Sequence, residues 1–574
     1  MTGIRAWCGM VVAALASCGL AAGPESDKPW DMLTARPETV EAWKDMRFGL
    51  FICWGPVSLT GKEIGWSRGE PPWGRRPGVR GAKGPTPVEV YDALYKTWKP
   101  DRFDARAWVG LARDAGAGYI IFLVKHHDGF CLFDTQLTDF RSTGPESAWK
   151  ADVMKHIADA CHEAGVKLMI YYSQPDWHHP DYLTDRHDRY IAYLHGQVRE
   201  LLTGYGRIDG LWFDNLRPVG PQTAALWDAE NLFRMARRLQ PHLLINNRCG
   251  LPGDFDTPEQ RVGRFETRRA WESCITLGTQ WAWKSDDRIK SLEQCIDILV
   301  RCAGGDGNLA LNTNPMPDGR IEPRQVERFK EIGAWLAKYG RSIYGTRGGP
   351  FRPGAWGAST HKASAVYLHV LRWPSDGIVL PAIDRRIVSH TVLTGGTAAV
   401  EQTGEGITVS VPPACRSELD TIVKLELDGP AAGATVARLG SGSLALGKQA
   451  TASNVFRSQA EFAPARAFDD DPATRWGCDW GTRAAWLAVD LGKPCTFDRA
   501  WISEPYDRVR RFELQAERDG SWETFYRGTT IGEGLSVTFP PVTARHVRLN
   551  LAETTEGPSI WEFQLFAPKE GPRP

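Results

Sequence analysis

The chain carries no excess of either charge: 69 Lys and Arg balance 69 Asp and Glu over 574 residues. That balance argues against nucleic acid or an anionic membrane surface as the partner. Beyond the N-terminal leader, no run approaches the roughly 20 apolar residues of a membrane-spanning helix. No G-x-G-x-x-G or G-x-x-x-x-G-K-[ST] follows a strand-like segment, which counts against nucleotide-binding α/β folds. The twelve cysteines include no C-x-x-C pair, so no zinc ribbon is indicated. The histidines show no H-x-x-x-H or H-x-H spacing, the patterns that put two imidazoles on one metal.

Tryptophan is abundant, with 24 residues. Indoles fill large cores, and they also stack on the apolar faces of pyranoses; composition alone hints at carbohydrate. At the N-terminus Arg5 precedes an apolar run, Trp7 to Ala16, that reads as an export signal within residues 1–22. Leu15-Ala-Ser-Cys18-Gly fits lipoprotein processing with a lipid anchor at Cys18, and cleavage after Ala21 or Ala22 competes with it. Both place the mature protein outside the cytoplasm, in the periplasm, on the outer membrane or in the medium. One or two disulfides among the remaining ten cysteines are expected there.

Strands and helices alternate from about 30 to 345. Phe48–Trp54, Tyr119–Val124, Lys167–Tyr172, Leu211–Phe213, Leu243–Asn246 and Asn308–Asn312 read as strands, with helices such as 104–116 between them. Over this length the repeat predicts a (β/α)8-like barrel. Short strands split by Gly and Pro then predict a β-sandwich over 346–428. A linker follows at 429–443, and a second all-β unit at 444–568.

Polar residues gather at the predicted C-terminal strand ends, where a barrel builds its active site. They are Lys125-His126-His127-Asp128, Tyr171-Tyr172-Ser173, Asp176-Trp177-His178-His179, Asp214 and Asn246-Asn247-Arg248. Two chemistries fit: metal-assisted hydrolysis with histidines and Asp214 as ligands, or glycoside hydrolysis by two carboxylates. The second chemistry needs a partner for Asp214. Glu266 and Glu272, in the region after the fifth predicted strand, are the candidates, and Trp281-Ala-Trp283 suits a substrate-facing loop.

Phe48-Gly-Leu-Phe-Ile-Cys-Trp-Gly-Pro56, Lys125-His-His-Asp-Gly-Phe130, Leu211-Trp-Phe-Asp214, Trp271-Glu-Ser-Cys274 and Asn308 to Pro317 resemble, in order, the signature stretches of the α-L-fucosidases of glycoside hydrolase family 29. The resemblance implies a retaining exo-glycosidase that needs no cofactor and acts on fucosylated oligosaccharides or polysaccharides. It implies Asp214 as nucleophile and Glu272 as acid/base. It places Cys53, Trp54, Glu63, Trp66, His126, His127, Tyr171, Trp212, Arg248 and Trp281 around the sugar. The family usually has His where this chain has Cys53. A thiol is a shorter and weaker donor than imidazole, so an α-L-galactoside is an alternative substrate. A catalytically silent glycan-binding protein is the other alternative.

The last unit, with Leu446–Ser453, Ala467–Trp476, Trp486–Gly492 and Ile560–Phe563, resembles the discoidin-like (coagulation factor 5/8 type C) module. That resemblance implies glycan holding, and a structural Ca2+ near Asp469 to Asp471.

Overall fold

The computed structural model describes residues 30–70, 83–354, 356–374, 377–404, 406–436, 443–470, 474–532 and 534–568. The leader, Cys18, Asp471 and part of the expected linker lie outside the described residues. Among the described residues no helix is long and apolar enough to cross a membrane.

Eight parallel strands form one sheet in the order β5-β4-β3-β2-β1-β8-β7-β6. They are β1 (Phe48–Ile52), β2 (Tyr119–Lys125), β3 (Lys167–Ser173), β4 (Gly210–Asp214), β5 (Leu244–Ile245), β6 (Phe255–Asp256), β7 (Ala270–Thr276) and β8 (Asn308–Thr313). A bridge from Asn246 to Phe255 joins the two ends of this order, which makes it a nearly closed barrel. Buried residues run the whole length of β1, β2, β7 and β8, as expected when helices cover the outside and side chains fill the inside. Helix Ala105–Asp114 starts where the Asp104 carboxylate accepts the Ala107 N–H, and Asp152 caps helix Val153–Ala164 in the same way.

Two barrel strands were hidden from the sequence pattern. β6 is only two residues long, and β7, Ala-Trp-Glu-Ser-Cys-Ile-Thr, mixes polar and apolar residues yet is buried throughout. The part of the region after the fifth predicted strand that carries Glu272 is therefore a barrel wall.

Behind the barrel, antiparallel sheets of five and three strands make the β-sandwich between Arg347 and Leu427. A six-stranded sheet built on the long strands Ala485–Ser503 and Leu535–Thr554 forms the C-terminal unit. Among the described residues the ten cysteines from Cys53 to Cys495 are all free, and eight of them are buried, so the expected disulfides are not seen there.

Candidate active site

Asp214 is the last residue of β4, and its side chain is 14% exposed at the C-terminal barrel face. Two donors fix it. The Tyr171 hydroxyl donates to Oδ2 at 2.7 Å, and Arg248 Nη1 donates to Oδ1 at 2.9 Å. Tyr171 comes from β3, and Arg248 follows β5. Arg248 is itself fixed, because its Nε donates to Thr257 Oγ1 at 2.8 Å and its guanidinium lies 4.7 Å over the Trp212 ring.

Arg248 reaches a second carboxylate. Its Nη2 donates to Glu259 Oε2 at 2.9 Å, and the Glu259 side chain is 41% exposed at the rim. One guanidinium thus holds both acids, one by each terminal nitrogen. A bridge pairing Glu259 with Cys274 ties the loop after β6 to β7 at this level.

Glu272 stands elsewhere. It is fully buried, accepting the Tyr119 hydroxyl on one oxygen and the Trp212 Nε1–H at 3.0 Å on the other. Trp212 precedes Asp214 by two residues on β4, so its ring belongs to the next inward layer down. Burial pushes the Glu272 carboxyl up to about 7, a value that would suit a general acid. Position overrules it: a carboxyl closed off beneath an indole cannot reach a leaving group at the barrel mouth. That burial does not suit the acid/base role the resemblance gives Glu272; the carboxylate that stands at the mouth with Asp214 is Glu259, in Thr257-Pro258-Glu259. Glu266 is no alternative. Its carboxylate accepts the Arg268 and Arg269 amides, and its own amide donates to Gly305 O, before the start of β8.

His127 faces Asp214, with Nε2 at 3.6 Å from Oδ2. The Ser173 hydroxyl lies within 2.6 Å of Pro175 O and of His127 Nδ1. Its single proton goes to the carbonyl, so Nδ1–H donates to Ser173 and the Nε2 lone pair faces the pocket. Burial lowers the imidazole to about 4, which keeps it neutral and an acceptor for a hydroxyl. His126 stacks on Tyr171 at 5.8 Å with 9° between the planes, and its buried Nδ1 lacks a hydrogen-bond partner.

Trp66, 40% exposed, meets His127 and Trp177 edge-on at 5.6 and 5.3 Å. Trp177 completes this aromatic wall and is absent from the family-derived set. Glu63 accepts the Trp281 amide on both oxygens, at 3.0 and 2.9 Å, and so ties the β1 loop to the β7 loop. Trp281 packs on Phe51 at 5.7 Å. Cys53 is buried near Glu63, and burial raises its thiol well above the usual range, so it stays protonated.

Trp54 does not join them. Its ring sits among Trp98, Phe103 and Trp108 at 4.5 to 5.4 Å, and its Nε1–H donates to Met316 O. It is a core residue under the β1 loop, and the expectation that it lines the sugar subsite is corrected. His178 and His179 also turn away, stacking on Phe140 and packing on Tyr193. The metal reading, with His126, His127, His178 or His179 and Asp214 as ligands, finds no such cluster among the described residues.

In the C-terminal unit Asp470 Oδ1 accepts from Gln564 Nε2, while its buried Oδ2 lacks a partner. That orphaned oxygen fits a hard cation, although no group of three His, Cys, Asp or Glu converges among the described residues.

Paired carboxylates cut glycosidic bonds, and sugars are held by indole faces and fixed polar groups. On a (β/α)8 barrel this combination defines a glycoside hydrolase. Residues 13–341 match the family model described as Alpha-L-fucosidase, and residues 449–563 match the F5/8 type C domain. The chain belongs to the α-L-fucosidase family. A curated α-L-fucosidase from Branchiostoma floridae is 25% identical over 436 residues, covering 69% of this chain and 94% of the relative. Among solved structures, α-L-fucosidase isoenzyme 1 from Paenibacillus thiaminolyticus is 32% identical with a TM-score of 0.60, covering 68% of this chain and 99% of its own. A Bacteroides thetaiotaomicron α-L-fucosidase trapped as a covalent intermediate with 2-fluoro-fucosyl fluoride shares the fold. It has a TM-score of 0.59 at 24% identity, over 69% and 97% of the two chains.

Proposed function

We propose that this enzyme hydrolyses terminal α-L-fucosides of exported or extracellular glycans, with retention. The observation that carries the reading is the single guanidinium of Arg248 shared by Asp214 and Glu259. Retention requires carboxyl groups about 5 Å apart, and two acids on one guanidinium meet that scale. An Asp214 oxygen bonds to the anomeric carbon as the bond to the aglycone oxygen breaks, and Glu259 gives that oxygen its proton. Water then attacks the same carbon, Glu259 takes the water's proton, and Asp214 leaves as carboxylate. Neutral His127 and Glu63 are the acceptors for ring hydroxyls, and Trp66 with Trp177 walls the sugar. The apolar run Trp7 to Ala16, read as an export signal, supports hydrolysis outside the cytoplasm.

The test is release of 4-nitrophenol from its α-L-fucoside. Asp214→Asn is expected to lose at least about 10³-fold in kcat/KM. Glu259→Ala is expected to lose about 10²- to 10⁴-fold, with partial recovery in azide and a fucosyl azide product. Unchanged turnover of Asp214→Asn, or no azide effect on Glu259→Ala, sinks the assignment concerned.

The C-terminal domain is proposed to hold the fucosylated glycan through Trp480, which is 72% exposed beside Arg457 and Phe456. Calcium, where bound, would be held through Asp470 and would stiffen that unit.

A further inference from the structure

Glu272 is left without a part in the chemistry, yet it is a fully buried acid in the barrel interior. Desolvating a carboxyl costs several kcal/mol unless the surroundings return something for it. Both of its bonds run to aromatic side chains. The Tyr119 hydroxyl, from the start of β2, holds one oxygen, and the Trp212 indole N–H holds the other at 3.0 Å. Trp212 in turn touches both groups that fix Asp214. Its face lies 4.7 Å under the Arg248 guanidinium, and it stacks against Tyr171 at 5.6 Å with 23° between the planes. Arg248 and Tyr171 are the two donors to the Asp214 oxygens.

We infer that Glu272 is a positioning residue: it pins the Trp212 indole by its edge, so that the ring's face sets Arg248 and Tyr171 on the nucleophile. Two physical effects act along this path. Geometrically, an indole held at its N–H cannot rotate within its layer, and the guanidinium resting on it keeps the fork that serves Asp214 and Glu259 together. Electrostatically, an acceptor on the N–H draws the proton outward and leaves the ring face more electron-rich, which strengthens its grip on a cation. The inference rests on the proposed roles of Asp214 and Glu259, and it adds the support beneath them.

The experiment compares Glu272→Gln, Glu272→Leu, Trp212→Phe and the Glu272→Leu/Trp212→Phe double variant in the full chain. The substrate is an aryl α-L-fucoside, and thermal unfolding is recorded alongside. Glutamine keeps an oxygen for the indole and is expected within about 5-fold of the parent. Glu272→Leu is expected to lose about 30- to 100-fold in kcat with KM changed less than about 3-fold. A pin that acts only in the transition state lowers kcat and kcat/KM together. Trp212→Phe should lose a similar factor, and the double variant no more than the larger single loss, because both cuts sever one path.

Additive losses would overturn the inference, as would a Glu272→Leu enzyme with unchanged kcat. If Glu272→Leu does not fold, Trp212→Phe against the Glu272→Gln/Trp212→Phe pair supplies the same test of additivity. Azide separates this from failure of the proposed mechanism. A Glu272→Leu enzyme rescued by azide would make Glu272 the acid/base itself, whereas loss of the azide effect at Glu259 alone leaves the pin intact.

Discussion

Rim and floor of the same barrel each present a carboxylate near the nucleophile, and they have opposite characters. At the rim, Glu259 is exposed on a loop and paired with Arg248, the residue that also binds Asp214. On the floor, Glu272 is sealed among Tyr119 and Trp212, and burial raises it to about 7. A perturbed acid in a site is ordinarily the first candidate for acid/base work, and here that criterion selects the buried residue rather than the one proposed above. Desolvation raises the proton affinity of any buried carboxyl, useful or not. Access to the barrel mouth is what separates the two: the Glu259 side chain is 41% exposed and Glu272 is fully buried.

The largest difference between the regions should appear in stability against pH. Glu272 has a folded-state proton affinity raised from 4.5 to about 7. The folded state therefore holds this proton more tightly than the unfolded chain. Its contribution is fully present below about pH 4.5 and is lost as pH rises through 7. With about 1.4 kcal/mol per unit, the swing is about 3.5 kcal/mol. Glu272→Gln removes it, so the variant should gain on the parent in denaturation midpoint between pH 4.5 and 8, while Glu259→Gln should not. A constant gap between parent and Glu272→Gln across that range would mean that the floor carboxyl is not desolvated as described.

Much of the rim could be read in the chain. Asp214, His127, Tyr171 and Arg248 end strands or follow them, and the barrel places such positions on one face. The C-terminal face and its sandwich and module followed from strand patterning. The second acid could not be read in the same way. β7 lacks both alternation and a clean apolar run, and β6 is two residues long, so the pattern assigns Trp271-Glu272 to no strand. Had β7 been recognised, Glu272 as its third residue would have fallen too low in the barrel, and Glu259 would have stood at the strand-end level. Trp54 misled for a related reason. A tryptophan in a signature stretch serves equally as substrate wall or as core, and only its neighbours Trp98, Phe103 and Trp108 decide.

A smaller effect within the rim concerns sugar choice. Cys53 is buried near Glu63, and its thiol remains protonated. Cys53→His restores a longer donor at this point and should raise the kcat/KM ratio of α-L-fucoside to α-L-galactoside by about 10-fold, the scale of one hydroxyl contact. Equal ratios in parent and variant would place the selectivity elsewhere, with Trp281 the next side chain to change.

The smallest effect is expected farthest from the barrel. Trp480 stands out from the C-terminal domain, with Arg457 5.6 Å over its ring and Phe456 at 5.9 Å. An exposed indole with an arginine beside it offers a pyranose one apolar face and one donor fork, and loss of such a contact costs about 1 kcal/mol. Trp480→Ala should therefore raise KM on a fucosylated polysaccharide about 5-fold more than on an aryl fucoside. The gap arises because the polysaccharide can engage both sites at once, and the module then acts by local concentration rather than by chemistry. If the two substrates respond equally, the module does not hold the glycan through this face, and its contribution to the enzyme is packing alone.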